Sequence, residues 1–341
     1  KEGYAEVDLI TTNTDAQALE ATKAETQIQL GSKSTKGIGT GANPELGKRA
    51  AEEDIEKIEE ACRDADLVFL TGGLGGGTGS GALPVIARTL KEHNILSIAL
   101  VTKPFSFEGK RRMDIAEKTL ETLKKEVDTL INIPNQKLLD IADENVSLVN
   151  AFGMVNDIVS QFIKSISSII TQPGHINVDF ADVRAIMKNM GVAVMGTGRA
   201  SGAHRTQEAT QQAVSSPLIE NMDISGAKNV LLNITGSENL GLHEVSHAAS
   251  LVYEQADPNA SIVLGSVIDE KMGEEVTVTI IATGFHEAER HEQTYTFSQY
   301  QSAYSDVGHH EKYEQPTTPP QDDLNIPAVL RRRPTEYNNT Q

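Results

Sequence analysis

The chain has 341 residues, 38% of them hydrophobic, which is enough for two domains with a real core; only 4% are aromatic and none is Trp, so that core is predicted to be aliphatic. A net charge of −18 argues against non-specific binding to nucleic acid or anionic lipid. The single cysteine, Cys62, excludes an internal disulfide and fits a reducing compartment, and no run reaches the ~20 apolar residues that span a bilayer.

From residue 7 to residue 133, short apolar runs alternate with helical patterns. Strands are predicted at residues 7–12, 67–71, 95–102 and 130–133, with helices at 44–63, 83–93 and 110–125. Such alternation argues for βαβ units around a parallel sheet. Asn43 before Pro44 marks one helix start, because Asn caps and Pro gives up an N–H that has no partner in the first turn. Residues 147–170 place Leu148, Phe152, Val155, Val159, Phe162, Ile163, Ile166 and Ile170 on one broad face, a long helix suited to be a spine between two domains.

A second α/β region covers residues 177–284, with strands at 192–197, 229–235, 261–267 and 276–283 and helices at 181–190, 205–215 and 243–255. No helix separates the last two strands, so they are expected to pair antiparallel. Residues 286–321 are polar, lack a sustained apolar period and end in a Pro-rich stretch, the composition of a disordered linker. A short mixed segment from Asp322 to Arg333 follows.

The strongest chemical signal is Gly72-Gly73-Leu74-Gly75-Gly76-Gly77-Thr78-Gly79-Ser80-Gly81, between a predicted strand and a predicted helix. Glycines let a backbone come close to a ligand, and successive N–H groups at a helix start can face phosphate oxygens. Thr78 and Ser80 add hydroxyl donors. A Walker A loop needs Gly-Lys-Ser/Thr, which does not occur here. The run Gly77-x-Gly79-x-x-Ala82 meets the looser dinucleotide fingerprint, but the next strand ends Val101-Thr102-Lys103-Pro104 without the acid that would hold a ribose. A dinucleotide oxidoreductase is therefore the weakest of the nucleotide readings.

The box from Gly75 to Gly81 resembles the tubulin/FtsZ signature, and four neighbours favour FtsZ: Asn13-Thr14-Asp15-Ala16, Gly41-Ala42-Asn43-Pro44, Thr102-Lys103-Pro104-Phe105-Ser106-Phe107-Glu108-Gly109 with Arg112 beyond, and Asn177-Val178-Asp179-Phe180-Ala181-Asp182. The resemblance runs from about residue 7 to residue 285. It implies a tubulin/FtsZ-like α/β fold, with a Rossmann-like GTP-binding domain (1–146), a central helix and connection (147–176), a smaller activation domain (177–285), a linker (286–321) and a tail peptide (322–341). It implies GTP or GDP with Mg²⁺, head-to-tail homopolymers at a mid-cell ring in the cytoplasm, and a tail segment, Asp322 to Arg333, that docks on membrane-tethering division proteins. Neither nucleic acid nor direct membrane insertion is implied.

Carried over position by position, Gly75, Gly76, Gly77, Thr78 and Gly79 wrap the phosphates, and Gly41, Ala42 and Asn43 lie near the terminal phosphate. Glu108 and Arg112 hold the ribose rim, Phe152 stacks on the base and Asn156 meets the guanine edge. Asn177, Asp179 and Asp182 complete the active site of a neighbouring subunit. Plainer readings stand beside these. Glu108 and Arg112, four apart, make a simple helix ion pair; Asn156 bridges helices; Phe152 is core; Asp179 caps a helix. The nine histidines show no metal-like spacing, and no metal ligand set is read from the chain.

The FtsZ pattern also opens with a strand and a Gly-rich phosphate loop that are not found before Val7, and the first residue is Lys1. The expectation is a partial sequence that binds GTP poorly as it stands. The rival within the family is a filament protein that binds nucleotide without hydrolysing it.

Overall fold

The computed structural model describes residues 7–141, 146–172, 176, 178–216 and 224–285. Asn177, the 286–321 linker and the 322–341 tail lie outside the described residues.

The chain opens with β1 (Ile10–Asn13), α1 (Ala16–Glu20) and β2 (Thr26–Gln29), and the two strands pair parallel as a sheet of their own. Then come α2 (Pro44–Glu53), α3 (Ile55–Cys62), β3 (Leu67–Gly73), α4 (Thr78–Glu92), β4 (Leu96–Lys103), α5 (Lys110–Glu126) and β5 (Thr129–Pro134). β3, β4 and β5 are parallel neighbours, as the alternating pattern predicts. β4 is the central one, and its alternate residues serve two cores. Leu96, Ile98 and Leu100 join one apolar cluster, Ala99 and Val101 the other, as the period of two requires.

α6 (Asn135–Ile141) and the 24-residue α7 (Leu148–Thr171) follow, then α8 (Phe180–Met187), β6 (Gly191–Ser201), α9 (Arg205–Val214), β7 (Asn229–Gly236), α10 (Leu242–Gln255), β8 (Ser261–Ile268) and β9 (Glu275–Thr283). The seven strands β3-β4-β5-β6-β9-β7-β8 form one hydrogen-bonded order. β6 joins its halves: residues 191–193 pair parallel with β5, and residues 194–201 pair antiparallel with β9. α7 is the expected spine. Its Phe162 and Ile166 are fully buried, in one cluster with Ile131 of β5, Met195 of β6, Leu231 of β7 and Ile281 of β9.

Four expectations need correction. The last two strands do not pair: β8 lies parallel to the outer side of β7, whereas β9 inserts antiparallel between β6 and β7. β9 is buried on both faces along most of its length and β8 is not, so β9 takes the interior position and β8 the edge. The helix predicted at 44–63 is broken at Asp54, whose carboxylate turns away to accept from the Gly31 N–H at 2.7 Å and to pair with Lys57. The helix after the glycine box begins at Thr78 rather than Leu83, so half the box is helical. The first strand is residues 10–13, and β2 has no strong pattern of its own.

The second half holds a charged hub. Arg205, 5% exposed at the start of α9, grips Glu244 of α10 with both arms of its guanidinium, at 2.8 and 3.0 Å, and donates to the carbonyls of Glu274 and Asn239. Glu244 also accepts from Thr206 Oγ1 and from the Gly241 N–H. The guanidinium contacts, chiefly, pull the Glu244 carboxyl down to about 2. Cys62 is buried among apolar residues, which pushes its thiol up and leaves it inert. Among the described residues, no helix is long and apolar enough to cross a membrane.

Candidate functional site

In a parallel sheet, ligand groups gather beyond the carboxyl ends of the strands, and there β3 turns through residues 74–77 into α4. The turn is closed on itself. Gly75 sits at φ +93° and its N–H donates to Ser80 Oγ at 2.9 Å. Ser80, 4% exposed, is thus a clasp of the loop before it is a donor to anything outside. Thr78 Oγ1 shares a 2.6 Å hydrogen bond with Thr14 Oγ1, which ties the box to the turn between β1 and α1.

The glycines of the box do two different jobs. A Cβ on Gly81 would overlap the Pro44 carbonyl and the Lys48 N–H, and one on Gly77 would overlap Thr40 Oγ1 and the Asn43 N–H. Those glycines let α2 and its leading loop lie directly on α4. A Cβ on Gly76 or on Gly41 would meet nothing within 4 Å, so these two backbones face open space. The same packing brings Gly41, Ala42 and Asn43 to the box. Gly41 and Ala42 take positive φ (56° and 59°), and Asn43 Oδ1 caps α2 through the Glu45 N–H at 3.1 Å, as Asn-Pro predicts.

On the other side of the box, Gly75 lies against the backbone carbonyl of Arg112 and the ring of Pro104. This brings in the rim. Glu108 ends a short turn from Ser106, accepts from the Phe105 N–H at 2.9 Å with one oxygen and pairs with Arg112 through the other. The ion pair expected from the four-residue spacing therefore exists. Phe105, 1% exposed, stacks on Phe107 at 5.0 Å and meets Phe152 of α7 edge-on at 5.2 Å. Phe152 is 41% exposed and Phe107 63%, so both offer ring surface outward. Asn156 is exposed one turn beyond Phe152 and shares its helix face.

Two residues near this rim escaped the sequence reading. Asn135, 4% exposed, carries an Oδ1 without a hydrogen-bond partner among the described residues. Its neighbour Gln136 accepts from the Ser106 N–H at 3.1 Å, which fixes the start of α6 against the Glu108 turn. Its position just past Pro134, at the carboxyl end of β5, was the available signal. Phe107 was read only as part of a motif.

Asp179 and Asp182 lie elsewhere. They form a reciprocal cap at the start of α8: the Asp182 N–H donates to Asp179 Oδ1 at 2.9 Å and the Asp179 N–H to Asp182 Oδ2 at 3.3 Å. The capping reading is correct, and it occupies one oxygen of each exposed carboxylate. The far end of α8 is bonded to Asn94, just beyond the last turn of α4, while the box begins that helix. The 15 residues of α4 span roughly 22 Å, so these acids do not converge on the box of their own chain. Among the described residues, no group of three His, Cys, Asp or Glu side chains could hold a metal ion.

Residues 3–143 match the model of the tubulin/FtsZ family GTPase domain, and residues 191–286 match that of the FtsZ family C-terminal domain. The chain is 44% identical to the FtsZ of M. jannaschii, solved as an empty dimer, over 81% of this chain and 80% of that one, with a TM-score of 0.77. CetZ1 from Haloferax volcanii, a GDP-bound monomer, is 25% identical over 82% of this chain and 86% of its own, with a TM-score of 0.71. CetZ2 from the same organism, a GTPγS-bound protofilament, is 22% identical over 87% and 88%, with a TM-score of 0.70, a likeness of fold.

Proposed function

The chain belongs to the FtsZ family, the filament-forming GTPases of cell division, and on that premise we propose that it holds GTP on the glycine box and hydrolyses it where two copies meet head to tail. In this reading, Gly75, Gly76, Gly77, Thr78 and Gly79 present backbone N–H groups and the start of α4 to the phosphates, with Gly41, Ala42 and Asn43 beside the terminal one. Glu108 and Arg112 hold the ribose, Phe152 stacks on guanine and Asn156 bonds its edge.

The catalytic groups, Asp179 and Asp182 with Asn177, act on the nucleotide of the next copy, orienting the attacking water; positioning supplies most of the catalysis in phosphoryl transfer. Mg²⁺ keeps several waters and binds through phosphates more than through protein cages, so the ion arrives with the nucleotide. Residues 1–146, 147–176 and 177–285 act as nucleotide-binding domain, spine and activation domain. The tail from Asp322 to Arg333 docks on membrane-tethering partners and brings the filament to the division ring.

One observation carries the shared site: the box, the Gly41–Asn43 loop and the Glu108–Arg112 rim meet at one end of α4, and the helix bearing Asp182 is bonded to the other end. The test is Asp182→Ala in the full-length protein. It should bind GTP like the unmutated protein and lose assembly-dependent phosphate release. Turnover per subunit in the unmutated protein should also rise steeply above a threshold concentration. Equal turnover in dilute subunits would sink the shared site, and normal turnover in Asp182→Ala would sink the assignment of Asp182.

A further inference from the structure

The turn after β1 is tied down by its own side chains and by the loop that follows β2. Asn13 Oδ1 accepts from the Asp15 N–H at 3.1 Å, and Asp15 Oδ1 caps α1 by accepting from the N–H groups of Gln17 and Ala18. The Thr14 carbonyl accepts from the Gly39 N–H at 3.1 Å and from Thr35 Oγ1 at 3.2 Å. The Thr14 side chain is closed off from solvent, at 0% exposure. Among the described residues, the one hydrogen bond its hydroxyl makes is with Thr78 Oγ1, at 2.6 Å.

By distance alone either oxygen could hold the proton of that bond, and burial decides between them. If Thr78 donated, the Thr14 proton would be left inside the fold without an acceptor, and a buried donor left unpaired costs its full desolvation. If Thr14 donates, its proton is satisfied and the spare one belongs to Thr78, which is half-buried at the first position of α4. That end of α4 has no side-chain cap, so the N–H groups of its first turn also lack an intrahelical partner. A phosphate oxygen only accepts. Thr78 serves it when its proton, not its lone pair, faces outward, and a hydroxyl that already accepts one hydrogen bond is a stronger donor of the next.

We propose that Thr14 is a positioning residue: it donates to Thr78 Oγ1 and thereby turns the Thr78 proton toward the phosphates of the bound nucleotide. The inference rests on the reading given above that places Thr78 at those phosphates. Thr14 acts through Thr78 and before binding, since a hydroxyl already oriented by the fold need not be ordered by the ligand. The bonds from Gly39 and Thr35 hold the Thr14 backbone, and a β-branched side chain has few rotamers in which to stray.

The test is a double-mutant cycle in full-length protein, read as GTP affinity by equilibrium titration below the assembly threshold. Thr14→Val keeps the branched shape and removes the hydroxyl, and Thr14→Ser keeps the hydroxyl. Thr78→Val should weaken GTP binding by about tenfold or more, the loss of a hydrogen bond to a charged group. Thr14→Val should weaken it by about fivefold, and Thr14→Ser should stay within about twofold of the unmutated protein. In the Thr78→Val background, Thr14→Val should cost no further affinity. Thr78→Val also strands the buried Thr14 proton, so without nucleotide the double variant should unfold at a higher midpoint than Thr78→Val alone. If Thr14→Val binds GTP normally while Thr78→Val does not, the positioning role is wrong and the phosphate reading stands. If Thr78→Val binds normally, both fall. A loss from Thr14→Val that is equally large in the Thr78→Val background makes Thr14 merely structural and overturns the proposal, as does a Thr14→Ser variant no better than Thr14→Val. A double variant less stable than Thr78→Val means that the Thr14 hydroxyl has another partner, which also overturns it. Should Thr14→Val fail to fold, Thr14→Ala takes its place in the same cycle.

Discussion

The seam between α2 and α4 and the hub between α9 and α10 solve the same problem, fixing two helices in register, by opposite means. The seam is made of missing side chains: Gly77 and Gly81 leave room for Thr40, Asn43, Pro44 and Lys48 to come within contact of the α4 backbone. The hub is made of a side chain that fills the gap, Arg205, with Glu244 and two carbonyls using its donors. The tightest contacts of the seam are made on backbone, and the Arg88–Glu52 pair that bridges the same two helices at 3.8 Å is exposed. The seam suits the role proposed for the box, which is to present bare backbone to a phosphate. The hub can be tuned by charge and pH, and lies away from the box.

The sharpest way to break the comparison is Gly81→Ala. The new methyl would press on backbone atoms of Pro44 and Lys48, which cannot rotate aside, so α2 must move. Overpacking of that kind costs about 3 kcal/mol. The midpoint of urea unfolding should fall and GTP affinity should fall with it, because the shifted α2 carries Asn43 and its loop. Retention of both would show that the seam is softer than its contacts indicate.

A smaller effect, and a differently shaped one, is expected for Glu244→Gln. Hydrogen bonds to a charged partner are worth about 1.5–3 kcal/mol, so the variant should be less stable near neutral pH. The carboxyl is held down from its ordinary 4.5 to about 2. A depressed acid stabilises the fold fully above its unfolded value and loses that contribution as pH falls through the folded one. The gap between unmutated protein and Glu244→Gln should therefore close between pH 4.5 and about 2, whereas the deficit of Gly81→Ala should not track that range. Unfolding free energies measured along an acid series separate the two, and a pH-independent Glu244→Gln deficit would mean that packing, not charge, holds the hub.

The same contrast explains what the sequence made legible. Close backbone approach leaves glycine behind, so the box could be read directly, as could the cap at Asn43, whereas the place of the Gly41–Asn43 loop beside the box came from the family motif. Side-chain bonds between distant residues leave no such trace. Thr14 and Thr78 are 64 residues apart and Arg205 and Glu244 39 apart, and neither pair has a local pattern. The place of β9 was lost for a related reason. Adjacency in sequence favours pairing with β8, but burial on both faces, a property of the finished sheet, moves it between β6 and β7. The acids of α8 were legible as a helix cap from their spacing alone; a catalytic role for them came from the family motif.

The aromatic rim combines the two means, because there a side chain is half used by the fold and half left over. Phe152 spends one edge on Phe105 and leaves 41% of its surface open. Phe152→Ala should cost the fold little, since no closed cavity forms, but it removes the ring proposed to cover the base. An aromatic contact of this kind is worth about 1 kcal/mol, and thus roughly a fivefold loss of GTP affinity. Stacking reads no donor–acceptor code, because every base has a π-face. Phe152→Ala should therefore weaken GTP and ATP by the same factor and leave their ratio unchanged. Asn156→Ala, which removes the group proposed to meet the guanine edge, should shift that ratio instead. Equilibrium titrations of both nucleotides against the two variants decide the matter. If Phe152→Ala changes the preference for guanine, the ring does more than stack; if it changes neither affinity, Phe152 belongs to the core with Phe105 and the base lies elsewhere.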